Sequence, residues 1–192
     1  MKASIPENEH ARLEALRQFK VLDTEPEEAF DDITRLASYI CQTPTALITF
    51  VDADRQWFKS RVNCVPQETS RDISFCAHAI LQPGQTIVRD TLDDERFRDN
   101  PFVLSEPYIR FYAGSPLTSA EGFRLGTLCV VDHVPRVLFA DQADALRMLG
   151  NQVTALLGMR RTVAYLESAL NQKRRRIEEL EERQHPKKGA AE

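Results

Sequence analysis

Hydrophobic side chains at Phe30, Ile33, Ala37 and Ile40 step by three and four residues, which places them on one stripe of a helix facing a core. Asp23 or Thr24 is suited to cap this helix, with Pro26 and two glutamates in its first turn, and Pro44 stops it. A shorter helix is expected before it over residues 8–20, where Leu13 and Leu16 sit among good helix formers. The period then changes. TALITFVD over 45–52 is rich in β-branched and aromatic residues and predicts a buried strand. Asp52-Ala53-Asp54 reads as a turn, and residues 56–62 as the second arm of a hairpin. Residues 63–70 are polar and read as a loop. Ser74 is a good N-cap for a short helix running to about Leu81. QTIVRD over 85–90 reads as a short strand. The segment 91–108, with two prolines, is expected to be a long ordered loop with one helical turn, of the kind that serves as a lid. RFYAGSPLTS (110–119) and FRLGTLCVVD (123–132) flank Ala120-Glu121-Gly122 and predict a second hairpin.

From about Leu138 the pattern is one long helix. Leu149, Leu156, Val163, Leu170 and Ile177 recur every seven residues, and Met159, Leu166 and Leu180 fill the intermediate heptad position. Gln152 and Lys173 are the two exceptions in that seam. A stripe this long exceeds what the small body beside it can cover, so a homodimer through this helix is expected, with Lys173 helping to set register. Pro186 is expected to end the helix, and residues 186–192 to be a disordered tail. The plan is α+β with mostly antiparallel strand pairs. The division expected is a body over 1–158 that includes the N-terminal helices, a signalling helix over 159–185, and the tail.

Composition narrows the class. The chain has 192 residues and a net charge of -4, which argues against a protein coated for nucleic acid. Residues 151–192 hold nine Lys/Arg and six Asp/Glu, a local balance of +3 that leaves -7 for the rest. The run Lys173-Arg174-Arg175-Arg176 faces a following EELEE block and reads as salt bridging along or between helices. No apolar run is long enough to span a bilayer, and MKASIPENEHARLEAL has no signal-peptide core. Cys41, Cys64, Cys76 and Cys129 are scattered and form no C-x-x-C pair, so a cytoplasmic protein with reduced thiols is expected.

Six stretches carry a family resemblance: LDTEPEEAFDDITRLA, ALITFVDADRQWFKSRV, RDISFCAHAIL, DDERFRDNPFV, IRFYAGSPL and FRLGTLCVVD. Together they cover roughly residues 10–158 and resemble a GAF domain, the small sensory module of many bacterial signalling proteins, in particular those preceding histidine kinase or diguanylate cyclase modules. The resemblance implies a central antiparallel sheet of about six strands. Terminal helices pack on one face, and a ligand pocket under short helices and loops lies on the other. Such domains bind cyclic nucleotides, bilins, haem, metabolites or metals, so the resemblance implies a pocket without naming its cofactor.

Trp57, Phe58, Phe75, Phe111 and Tyr112 are candidates to line that pocket, with Cys76, His78 and Cys129 beside them and Arg110 at the rim. The alternative is a filled core. In a helix, Cys76 and His78 lie about 200° apart, so they do not chelate one metal and no metal site is expected. Cys76 is read either as a thiol activated in a first helical turn or as a small side chain packed on the sheet, and the second is preferred. His78 is read as a hydrogen-bonded residue at the pocket edge, while His10, His133 and His185 are placed outside. Bilin-binding relatives carry adjacent Cys and His on the corresponding helix. Here Ala77 intervenes, so covalent pigment attachment is not expected. Arg55, Arg71 and Arg110 either take an anionic ligand or pair with Asp52, Asp54, Asp72, Asp90 and Asp93, the structural reading being preferred.

No Walker loop, H-E-x-x-H or nucleophile elbow is present. The functional expectation is a non-enzymatic sensory module that answers a small ligand and signals through a dimeric C-terminal helix to an output domain or partner. Two alternatives stay open. One is a redox sensor or methionine sulfoxide reductase-like oxidoreductase using Cys76. The other is a structural dimerisation module without ligand.

Overall fold

The computed structural model of the chain describes residues 2–184, so His185 and the tail expected after Pro186 lie outside it. The elements are α1 (Glu9–Gln18), α2 (Glu28–Cys41), β1 (Thr45–Val51), β2 (Arg55–Val62), β3 (Glu68–Ser70), a 3-10 turn (Arg71–Ile73), α3 (Phe75–Ala79), β4 (Thr86–Val88), α4 (Pro101–Leu104), β5 (Phe111–Thr118), β6 (Arg124–Asp132) and α5 (Ala140–Gln184). The strands form one sheet in the order β3-β2-β1-β6-β5-β4, with every neighbouring pair antiparallel. This is the α+β plan read from the pattern, with the six-stranded antiparallel sheet that the resemblance implied.

Both faces of the sheet are covered, which is why β1 is buried at every position and shows no polar alternation. Side chains alternate across the pleat. Ala46, Ile48 and Phe50, with Trp57, Phe111, Ala113, Leu128 and Val130, face a core made with α1, α2 and the first half of α5. Leu47 and Val51, with Phe58, Tyr112, Cys129 and Val131, face a second core under α3, α4 and the loop around Phe97. Strands β1 and β6 approach closely at Gly126, where a Cβ would stand 1.9 Å from the Thr49 carbonyl oxygen, so only glycine fits this crossing. Gly122, at φ 88°, closes the β5–β6 hairpin.

The structure corrects several boundaries. Helix α2 starts at Glu28 rather than directly after Asp23 or Thr24, because both candidate caps are engaged elsewhere. Asp23 pairs with Arg55 at 2.6 Å, and Thr24 donates to the Val21 carbonyl at 2.7 Å while accepting from Lys59 at 2.8 Å. Its other end is set by Gln42, whose left-handed conformation (φ 53°) turns the chain two residues before Pro44. The supposed loop 63–70 contains β3, which pairs with β2 through polar residues that carry no apolar signal. The 85–90 strand shortens to Thr86–Val88.

Helix α5 carries two stripes. Leu146, Val153 and Leu157 are fully buried against the body, and Leu149 and Leu156 are half-buried at the edge of that contact. These two seam residues are therefore shared with the body rather than wholly free for a partner. Met159, Val163, Leu166, Leu170, Ile177 and Leu180 continue the second stripe and are exposed. Arg160 pairs with Glu27, and Arg161 pairs with Glu121 at 2.9 Å and stacks over Phe19. Among the described residues no helix is long and apolar enough to cross a membrane.

Candidate functional site

A cavity of about 440 Å³ lies on the sheet face opposite α1, α2 and α5, within the size range of small-molecule sites. Its floor is Leu47, Phe58, Tyr112, Cys129 and Val131 from the strands, and one wall is Ile73 to Cys76. Its mouth is formed by Asn63 to Pro66, by Phe102, Glu106 and Pro107 from the 91–108 segment, and by His133. The wall is set by local geometry. The Ser74 Oγ accepts from the Ala77 N–H at 3.0 Å, capping α3, and it donates to Oε1 of Gln56, whose side chain also reaches the cavity. Ser74→Ala should therefore lower stability by about 1–2 kcal/mol in urea unfolding, since it removes the cap and leaves the buried Gln56 amide unpaired. A loss under a few tenths of a kcal/mol would show that this wall is held by packing alone.

Among the nine sequence-predicted pocket residues, Phe58, Phe75, Cys76, Tyr112 and Cys129 line the cavity. Phe75 stacks on Phe97 at 4.4 Å and on Tyr112 at 5.4 Å between ring centres. The other four lie elsewhere. Trp57 and Phe111 point to the helix-side core, because adjacent residues of a strand face opposite sides. His78 turns away from the cavity and sets its ring edge-on to Phe97 at 4.9 Å. Arg110 is held by Asp90 at 2.5 Å, outside the cavity lining, and its hydrogen bond lowers the Asp90 carboxyl. Sequence reasoning missed Gln56, Ser74 and His133. His133 comes to the mouth through an Nδ1 contact with the Pro107 carbonyl oxygen at 2.5 Å. Its position at the end of β6, beside a floor strand, was the available signal.

The arginines are structural. Arg55 pairs with Asp23, Asp52 and Glu68, and Arg71 with Glu9 and the carbonyl oxygens of Asp52 and Ala53. Of the expected carboxylates Asp52 and Asp90 take part, and Glu9 is an acidic partner of Arg71 with no local signature.

Three of the four cysteines reach the cavity: Cys64 at the mouth, and Cys76 and Cys129 on the inner wall. Cys76 and Cys129 are both buried, with sulfurs 3.8 Å apart. The Thr127 hydroxyl donates to the Cys76 sulfur at 3.0 Å, and the Tyr112 hydroxyl at 3.4 Å. Burial alone would push the Cys76 thiol up, but hydrogen bonds from Cys129, Thr127, Thr49 and Tyr112 outweigh it and bring the group below its ordinary value. Cys129, donating to that sulfur and itself buried, is raised, as is Tyr112 through burial and the neighbouring sulfurs. Cys41, in the apolar helix-side core, is pushed up to about 11 by burial. Among the described residues no group of three or more His, Cys, Asp or Glu side chains is placed to hold a metal ion.

Comparison with known proteins places this geometry. A cyclic di-GMP phosphodiesterase of Pseudomonas aeruginosa is 46% identical over 141 residues, covering 73% of this chain and 24% of that protein. The chain thus spans about a quarter of the length of the curated relative it matches. The expectation of a non-enzymatic chain is corrected by this relative, since a protein named as an enzyme carries the same region. Among solved structures, the GAF domain of an Acinetobacter phosphoenolpyruvate-protein phosphotransferase superposes with a TM-score of 0.58 at 14% identity, covering 81% of this chain and 98% of that one. The chromophore-binding domain of Stigmatella aurantiaca phytochrome P1 superposes with a TM-score of 0.53 at 11% identity, covering 81% and 63%. At these identities the likeness shows the fold alone. The family model for the GAF domain matches residues 25–160, and the chain belongs to the GAF domain family.

Proposed function

We infer that this chain is the sensory region of a cyclic di-GMP signalling protein, and that its cavity takes an uncharged small molecule distinct from the nucleotide that the output handles. One observation carries the reading: the cavity wall contains no Lys or Arg among its described residues. Cyclic dinucleotides carry two phosphates, which proteins hold with charge-assisted, often bidentate, hydrogen bonds. Apolar and aromatic walls with Gln56, Thr69 and Ser74 as inner polar points, and with the Glu106 carboxylate and His133 only at the mouth, suit a neutral ligand instead. A cavity of this volume also favours a ligand-binding module over a purely structural one.

A route from cavity to output helix supports the same reading. Phe58 lines the cavity, and the next residue, Lys59, points through the sheet to the other side. Its fully buried ammonium donates to Glu27 at 2.7 Å, and the same carboxylate holds Arg160 of α5. A ligand that moves β2 therefore acts on α5 through one carboxylate, provided it binds the two arrangements with different affinity. The exposed apolar stripe of α5 supports cover by a second copy, and in this reading a dimeric helix passes the change to a phosphodiesterase output.

The test is native mass spectrometry of protein purified from its own host, paired with thermal-shift titration by cyclic di-GMP. A retained neutral organic molecule, and no shift with the nucleotide, are expected. Saturable stabilisation by cyclic di-GMP would overturn the assignment.

A further inference from the structure

The two inner thiols belong to the apolar cavity-side core, yet Cys76 also has hydrogen-bond donors aimed at its sulfur, which packing alone does not require. A packing thiol has apolar neighbours, as Cys41 does in the helix-side core. Cys76 has apolar neighbours too, but Thr127 and Tyr112 also point hydroxyls at its sulfur, and the Cys129 sulfur stands 3.8 Å away. Such a shell stabilises a thiolate, which is the form that attacks. The second sulfur stands within reach of a disulfide, which needs about 2.05 Å, so closing the bond requires an approach of under 2 Å. Both residues form part of the wall of a cavity open at its mouth, giving a small neutral oxidant a way in. Cys76 sits at the start of α3 and Cys129 in the middle of β6, so a bond between them would draw the helix toward the sheet.

We propose that Cys76 and Cys129 form a dithiol site in the cavity wall that reacts with small hydroperoxides and closes to a disulfide. The Cys76 thiolate attacks one peroxide oxygen. An S–O bond forms, the O–O bond breaks, and the released hydroxide or alkoxide takes up a proton to leave as water or alcohol. The Cys129 sulfur then attacks the Cys76 sulfenic acid. The S–S bond forms, the S–O bond breaks, and water leaves with the Cys129 proton. The dithiol loses two electrons and the hydroperoxide gains them. An external dithiol restores the pair by exchange. Cys76 is the attacking residue, Cys129 the resolving one, and Thr127 and Tyr112 position the first. The site does not rest on the neutral-ligand reading and survives its failure.

The experiment treats the full chain with hydrogen peroxide at neutral pH, unfolds it in an alkylating reagent, and maps the peptides by mass spectrometry. Compared with the reduced chain alkylated in the same way, the product is expected to be lighter by two alkyl groups, with a linked Cys76–Cys129 peptide and with Cys41 and Cys64 alkylated. Dithiothreitol should reverse the change. Cys129→Ala should stop at sulfenic or sulfinic acid on Cys76, and Cys76→Ser should leave Cys129 reduced. Thr127→Val, which removes one donor to the sulfur, should slow the oxidation about tenfold. The proposal is overturned if the dithiol survives a large excess of peroxide, if Cys64 is oxidised first or becomes one end of the disulfide, or if Thr127→Val reacts at the wild-type rate. Circular dichroism of each variant separates loss of fold from loss of chemistry.

Discussion

Glu9→Gln is expected to lower the unfolding free energy by about 3 kcal/mol at pH 7, with the difference from wild type closing as the pH falls toward 2. The reason is a buried charge triad. The Arg12 and Arg71 side chains are only 1% and 5% exposed, and one carboxylate serves both. Glu9 accepts from Nε and Nη2 of Arg12 at 2.8 Å each, and from Nη1 of Arg71. Removing that carboxylate leaves two guanidinium groups uncompensated away from water, which is costlier than the pairs are worth when intact. The titration points the same way. Burial would raise the Glu9 carboxyl, yet the hydrogen bonds and charges of Arg12 and Arg71 hold it down at about 2 against an ordinary 4.5. A carboxyl depressed in the folded state contributes stability that is present above about 4.5 and is lost as pH falls from there to about 2. Urea unfolding of both proteins at pH 7, 4 and 2.5 measures this directly. Parallel stability curves across that window would sink the triad argument. There is also a structural consequence. Arg71 opens the 3-10 turn that leads into the cavity wall at Ile73 and Ser74, so hydrogen exchange at residues 71–79 should quicken in the variant.

That triad marks the limit of what the chain discloses before it folds. The strand hairpins and the long helix were legible because their patterns are strong: β1 is a dense run of β-branched and apolar residues, and α5 holds a seven-residue repeat. Element ends were less so. Thr24 has the chemistry of a cap, yet Lys59, thirty-five residues away, competes for it. Pocket residues were half legible. Trp57-Phe58 and Phe111-Tyr112 are adjacent pairs in strands, so alternation requires that one of each faces away from the cavity. Which one does so depends on the face that α2 and α5 cover, and only tertiary packing decides that. Glu9 and Arg71 are separated by sixty-two residues, and their contact has no local signature. The Cys76–Cys129 approach was beyond reach for the same reason. The readings of Cys76 and His78 rested on helix geometry alone; in the structure Cys76 lines the cavity, while His78 packs against Phe97 and is not among the lining residues.

The double variant Val163→Glu, Leu170→Glu is expected to convert a dimer of the 21.9 kDa chain into a monomer while leaving the body folded. Met159, Val163, Leu166, Leu170, Ile177 and Leu180 are each between 44% and 58% exposed, although their heptad spacing is that of a buried seam. An apolar stripe of this length, broken at Lys173, has no stabilising contact of its own on an isolated helix, and helices in water take most of their stability from packing. A second copy would cover it. Burying a Val or Leu side chain contributes about 1.5–3 kcal/mol. Two lost from each copy, with four carboxylates forced together, should weaken association by at least about a thousandfold. The choice of positions matters. Leu149 and Leu156 belong to the same repeat but pack against the helix-side core, so changing them would mix dissociation with unfolding of the body. Val163 and Leu170 lie past Leu157, where the buried stripe ends, and their loss leaves the sheet and both cores intact. Light scattering at micromolar concentration reads the mass, and near-ultraviolet circular dichroism, dominated by Trp57 and the aromatics of the two cores, reads the body. An unchanged dimer mass would move the interface off α5. A wild-type chain already monomeric at that concentration would remove the dimeric helix from the signalling scheme, leaving the Lys59–Glu27–Arg160 connection to act within one copy.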